Sequence, residues 1–152
     1  MVISQIGQIV EDEWKKTAEI RPTIELGEFV VMPNHFHGIL VILEGRGTAR
    51  RAPTPERFGH PVWGSLPTII RSFKSAVTSR VNTLRQTPGT SLWQRNYHER
   101  VVRNENDLHR VREYIQTNLL HWELDRENPK RRGEDEFDKW LEGTTQPKKN
   151  HS

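Results

Sequence analysis

The stretch VVMPNHFHGILVI, Val30–Ile42, decides how the chain folds. It is apolar and largely β-branched, broken by a Pro-Asn pair and by two histidines with one Phe between them. Runs rich in Val, Ile and Phe on either side of a turn signal read as a hairpin. Strands are therefore expected over Ile24–Met32 and His35–Leu43, turning at Pro33 and Asn34. Alternate residues of a strand share a face, so His35 and His37 project together while Phe36 points away. Two neutral imidazoles side by side on a rigid strand can ligate a divalent metal through ring nitrogen. A hydrogen-bonded pair at the rim of a core is the other reading, and the pair alone supplies no third ligand.

Outward from the hairpin, helices are expected on both sides. Ser4 is placed to cap a helix whose stripe is Ile6, Val10 and Trp14, with Pro22 ending the region. After the hairpin, EGRGTARRAPTPERFGHPVWG is rich in Gly, Pro and Arg and reads as a long loop. Ser65 caps the next helix, with Pro67 in its first turn and an end near Leu84. Its apolar stripe is Ile70, Phe73, Val77, Val81 and Leu84; a second stripe holds Arg71, Lys74, Thr78 and Arg85. That second stripe is either a solvated face or a row of phosphate contacts. SLWQRNYHERVVRN reads as a third strand, Leu92–Arg103. Asn104 then caps a helix over Glu105–His121, with Leu108, Val111, Ile115, Leu119 and Trp122 as its buried stripe. Beyond Pro129, Phe137, Trp140 and Leu141 suggest a short docking helix, and GTTQPKKNHS an unstructured tail.

Composition bounds the class. At 152 residues the chain is one domain, 1–130, with a polar C-terminal appendage, 131–152. It has no cysteine, which removes disulfide and thiolate chemistry. No apolar run reaches the length of a membrane span, and the N-terminal stretch is acidic and amphipathic, unlike a secretion signal. A cytoplasmic protein is expected. The formal charge is only +3, but Arg is concentrated between Arg46 and Arg103 and acids toward the ends, which suggests one surface facing a polyanion.

The last helix carries Tyr114, Asn118 and His121 at spacings that share a face. PNHFHG followed by LWQRNYHERVVRNENDLHRVREYIQTN resembles the single-tyrosine HUH transposases, and within them the bacterial REP-associated tyrosine transposases. The resemblance covers roughly Ile3 to Pro129. It implies an α+β fold, an antiparallel sheet with helices packed on one face in the ferredoxin-like, RRM-like manner. It implies that His35, His37 and Asn118 ligate Mg or Mn and that Tyr114 is the catalytic nucleophile; His121, on the same helix face, is expected to support the ligands. The implied activity is cleavage of single-stranded DNA and strand transfer in DNA transposition, through a covalent 5′-phosphotyrosine and a free 3′-hydroxyl. The implied partner is structured single-stranded DNA, such as the hairpin ends of a repeat. Arg71, Lys74, Arg95 and Arg100 are the candidate phosphate contacts, and Trp93 is either a stacking platform for a base or a core residue at a strand start. The enzyme is expected to be a monomer or a homodimer. The alternative is a nucleic-acid-binding module of the same fold without catalysis.

Two departures from that family stand out. Leu119 occupies the place of a Pro, which predicts that the helix continues past Asn118. No β-run precedes the helix at Ser4, so the first strand of the family's β-α-β-β-α-β order is expected to be missing.

Overall fold

Ser4 caps the first helix: its hydroxyl accepts the Gly7 N–H at 3.1 Å and so satisfies one of the donors that a helix start leaves open. The computed structural model describes residues 3–43, 64–95, 97–133 and 136–144. The Gly/Pro/Arg-rich segment up to Trp63 and the tail beyond Thr144 lie outside them. The chain is α+β: helix α1 (Gln5–Glu19), strands β1 (Ile24–Val31) and β2 (Phe36–Ile42), then helices α2 (Leu66–Arg85), α3 (Glu105–Thr117) and α4 (Glu136–Thr144). It divides into two compact units, one of Met1–Gly27 with Ile39–Glu99, the other of Glu28–Gly38 with Arg100–Ser152. Among the described residues, no helix is long and apolar enough to cross a membrane.

The two strands form one antiparallel hairpin, closed at its tip by Met32 N–H on the His35 carbonyl (2.9 Å) and at its open end by Leu43 N–H on Thr23 (2.8 Å). Pro33 and Asn34 are the two turn residues, as their chemistry predicts. Near the open end the strands approach closely at Gly27. A Cβ there would lie 2.9 Å from Ile39 Cβ and Cγ2, which no side chain tolerates without displacing the partner strand.

The first unit has its core between α1 and α2. Ile9, Val10 and Trp14 face Ile69, Phe73, Val77 and Val81, all buried, and Trp14 meets the Phe73 ring edge-on at 5.1 Å. Arg80 ties the helices at the rim, donating to Glu13 Oε1 at 2.8 Å. The expected stripe is one residue out at its start: Ile69 rather than Ile70 is buried, and Leu84 is exposed. α2 reaches Arg85 and is closed by Gln86 in the left-handed conformation.

The expected third strand is absent among the described residues of Leu92–Arg103. Among the described residues the sheet is two-stranded, and at the start of this segment Trp93 and Gln94 bond to α2 instead of to a ladder. The Trp93 indole N–H donates to the Lys74 carbonyl (3.1 Å), and the Lys74 ammonium donates to the Gln94 carbonyl (3.2 Å). The segment mixes Gln, Arg, His and Glu without alternation, so it offers no apolar face that would reward pairing.

In the second unit, Asn104 caps α3, its side-chain oxygen accepting Asp107 N–H at 2.8 Å. The helix ends at Thr117 and not at His121. The N–H groups of Leu120 and His121 both return to the Thr117 carbonyl, tightening the chain into three-residue turns that lead into a 3-10 turn over Trp122–Leu124. Leu119 therefore does not extend the helix and, with Leu120, is exposed. The docking helix anticipated around Phe137, Trp140 and Leu141 is α4, which also takes in Gly143 and Thr144.

Candidate metal centre and tyrosine

The second unit gathers the hairpin tip, α3 and the turn that follows it around a small polar group. His35 Nε2 and His37 Nε2 are 3.0 Å apart. Asp125, buried, places Oδ2 3.5 Å from His35 Nε2. One ligand atom from each of His35, His37 and Asp125 lies within 4.8 Å of the others. Two atoms each about 2.1 Å from a common cation sit about 3.0 Å apart at a right angle and about 3.4 Å apart at the tetrahedral angle. The His35–His37 and His35–Asp125 separations, 3.0 and 3.5 Å, are of the size of such edges. Two imidazole nitrogens and a carboxylate form a donor set of intermediate hardness that suits a divalent first-row transition ion.

Burial pushes His37 down to about 4, with His35 beside it acting in the same direction. Burial also lowers His35, against the opposing charge of Asp125. Both rings are thus neutral at pH 7, the form that ligates metal.

Tyr114 stands against this group. Its ring meets His37 edge-on with centroids 5.4 Å apart, and its hydroxyl donates toward Asp125 Oδ2 at 3.4 Å. Phe137 of α4 stacks on the Tyr114 ring at 3.9 Å and 13°, fixing the ring plane. One turn further along α3, Asn118 is almost wholly buried (1% exposed), and among the described residues neither Nδ2 nor Oδ1 has a hydrogen-bond partner. A buried amide left unpaired costs about 1–3 kcal/mol, so Asn118 fits a further ligand or an ordered water as the partner of its amide.

Of the residues singled out from the sequence, the structure thus brings His35, His37 and Tyr114 together and buries Asn118 on the same helix face as Tyr114. His121 does not join them. It lies exposed in the turn after α3, and no side-chain hydrogen bond or ion pair holds it to the pair among the described residues. Its expected supporting role assumed a helix one turn longer.

Asp125 was not foreseen. It follows the 3-10 turn in DRENP, where its Oδ1 accepts Glu127 N–H at 2.8 Å, and Asn128 repeats the arrangement on Lys130 N–H at 2.9 Å. Such Asx turns are a sequence signal for a loop, and nothing in them distinguishes a ligand.

The first unit holds the other predicted cluster. Arg71, Lys74 and Trp93 line a groove of about 440 Å³ together with Ser75, Thr78 and Ser91. Arg95 is exposed and outside that lining. Arg100 belongs to the second unit, where its guanidinium lies 4.3 Å from the Trp140 ring centroid, a cation–π distance.

A protein of Haemophilus influenzae, described as "Uncharacterized protein", is 34% identical over 132 residues, 82% of this chain and 71% of that protein. The chain belongs to its family. No family model matches, and no solved structure does. A match of that length takes in β2 and α3, whichever end of the chain the alignment leaves out.

Proposed function

We propose that this protein is a metal-dependent DNA-strand transferase of the single-tyrosine HUH type, cutting single-stranded DNA through Tyr114 in DNA transposition. The observation that carries the reading is the Tyr114 hydroxyl, 3.4 Å from the Asp125 carboxylate that also approaches His35. Binding alone requires no phenol directed at a His–His–Asp group. The wider arrangement is proposed to be of the HUH kind, the β1–β2 hairpin serving as its central His strand and the neighbour before it.

The chemistry follows from the residues. Tyr114 Oη attacks the phosphorus of a phosphodiester, the P–O3′ bond breaks, and the 3′ oxygen leaves as a hydroxyl once protonated. Asp125, already accepting from Oη, gives the phenolic proton a first acceptor. The 5′-phosphate remains esterified to Tyr114. Attack on that ester by a 3′-hydroxyl breaks the P–Oη bond, releases Tyr114 as the phenol with the hydroxyl's proton and restores a phosphodiester, so joining needs no ATP. A divalent cation held by His35, His37 and Asp125, with the buried Asn118 amide proposed as a further ligand, would supply stabilisation of the negative charge developing on a non-bridging oxygen. Mg or Mn is the proposed ion. In the groove, Arg71 and Lys74 suit backbone phosphates and Trp93 the stacking of a base, as a structured single-stranded end presents them.

Incubation with single-stranded oligonucleotides and Mn²⁺ tests the reading. Cleavage is expected with wild type and is lost when chelator is added or when His35 and His37 are both changed to Ala. Equal cleavage by that double variant would remove the site from these residues.

A further inference from the structure

Asn34 enters the sequence only as a turn residue, yet its amide touches both segments that carry the candidate ligands. Its Nδ2 lies 2.7 Å from the Glu127 carbonyl oxygen, and its Oδ1 lies 2.8 Å from His35 Nδ1. We propose that Asn34 is a positioning residue of the metal centre, holding His35 as the Nδ1–H tautomer and tying the His strand to the Asp125 segment. Its effect on the ion rests on the metal-dependent reading above; the tautomer does not.

Donor and acceptor chemistry fixes the tautomer. A carbonyl oxygen only accepts, so the amide end facing Glu127 is the NH₂ group. The end facing His35 is then the oxygen, which also only accepts. His35 Nδ1 must therefore carry the proton. A neutral imidazole has a single N–H, so Nε2 is left with its lone pair, and Nε2 is the atom facing His37 Nε2 and Asp125 Oδ2. The amide thus presents the ligating atom toward the candidate ion, the role that outer-shell partners of metal-bound histidines commonly fill.

The same amide reaches the third ligand. Glu127, whose carbonyl receives Asn34, also gives its N–H to Asp125 Oδ1 at 2.8 Å. Asp125 Oδ1 is thereby occupied, and Oδ2 is the oxygen turned to His35 and Tyr114. The chain His35–Asn34–Glu127–Asp125 joins ligands 90 positions apart in sequence through consecutive hydrogen bonds. A merely turn-forming asparagine would need neither end of it.

Long-range ¹H–¹⁵N correlation on the metal-free protein reads the tautomer directly, with His35 assigned by comparison with His35→Gln. Wild type is expected to show His35 protonated on Nδ1. Asn34→Asp keeps an acceptor and should keep that tautomer. Asn34→Leu removes it and should populate the Nε2–H form, with Mn²⁺ affinity by calorimetry falling about tenfold or more. A His35 protonated on Nε2 in wild type, or an unchanged tautomer in Asn34→Leu, would overturn the inference. Should wild type show the Nδ1–H form and bind no divalent ion, the tautomer assignment stands and the metal-dependent function falls.

Discussion

Acidifying the metal-free protein should destabilise it in a defined window, through His37. Its imidazole is pushed from an ordinary 6.5 to about 4 by burial, and His35 adds to the effect. A group whose folded value is depressed binds its proton first in the unfolded chain. Between about pH 6.5 and about pH 4 the unfolded state therefore holds more protons, and stability falls as pH falls through that window. Below about 4 the folded state is protonated as well and the loss levels off. At about 1.4 kcal/mol per unit, the gap amounts to at most about 3.5 kcal/mol, less where the ring edge still meets water. That is a large share of the roughly 5–15 kcal/mol of a typical domain. Urea unfolding across this range measures it, with His37→Gln as the control, because carboxylates elsewhere also titrate at the acid end. The difference between wild type and His37→Gln should shrink steadily as pH falls through the window. Parallel curves for the two proteins, or a wild type that gains on the control on acidification, would refute the reasoning.

Three further outcomes follow from particular contacts. Asp125→Asn keeps the shape but removes the charge, so Mn²⁺ affinity by calorimetry should drop at least about tenfold while the fold by circular dichroism is retained. Gly27→Ala forces a methyl against Ile39 and should cost about 1–3 kcal/mol in urea unfolding, whereas Gly89→Ala, where a Cβ meets nothing within 4 Å, is penalised only by its positive φ. Lys74→Ala should weaken binding of single-stranded oligonucleotides and lower the slope of log affinity against log salt by about 0.7, the signature of one lost phosphate contact; an unchanged slope would remove Lys74 from the interface.

The hairpin was legible because its signals are local. Pro33-Asn34 between β-branched runs specifies the turn, and the turn sets which residues pair. The three N-caps, Ser4, Ser65 and Asn104, were legible for the same reason, since each side chain bonds a backbone N–H three residues on. Leu92–Arg103 was misread as a strand because a ladder depends on a partner elsewhere in the chain, and the competing bonds from Lys74 and to Lys74 come from a helix. The end of α3 was misread because the switch to three-residue turns after Thr117 leaves no Pro or Gly in the sequence. At the site, the i, i+2 histidines and the i, i+4 pair Tyr114 and Asn118 announce themselves by period. Asp125 does not: it reaches the histidines only through a turn whose geometry no spacing rule encodes. Asn34 was visible as a turn residue, and its second use appears only when both ends of its amide have partners.

The proposed role of Tyr114 as the nucleophile is open to one direct measurement. Wild type and Tyr114→Phe are incubated with a single-stranded oligonucleotide and Mn²⁺, denatured, digested and mapped by mass spectrometry for a peptide carrying a nucleotide phosphate. The phenylalanine removes only the hydroxyl, and Tyr97, the other tyrosine of the chain, provides the internal control. The prediction is an adduct on the Tyr114 peptide of wild type, none on Tyr97, and none anywhere in Tyr114→Phe, with oligonucleotide binding within about twofold of wild type. An adduct that persists in Tyr114→Phe, or that maps to Tyr97, would contradict the central claim.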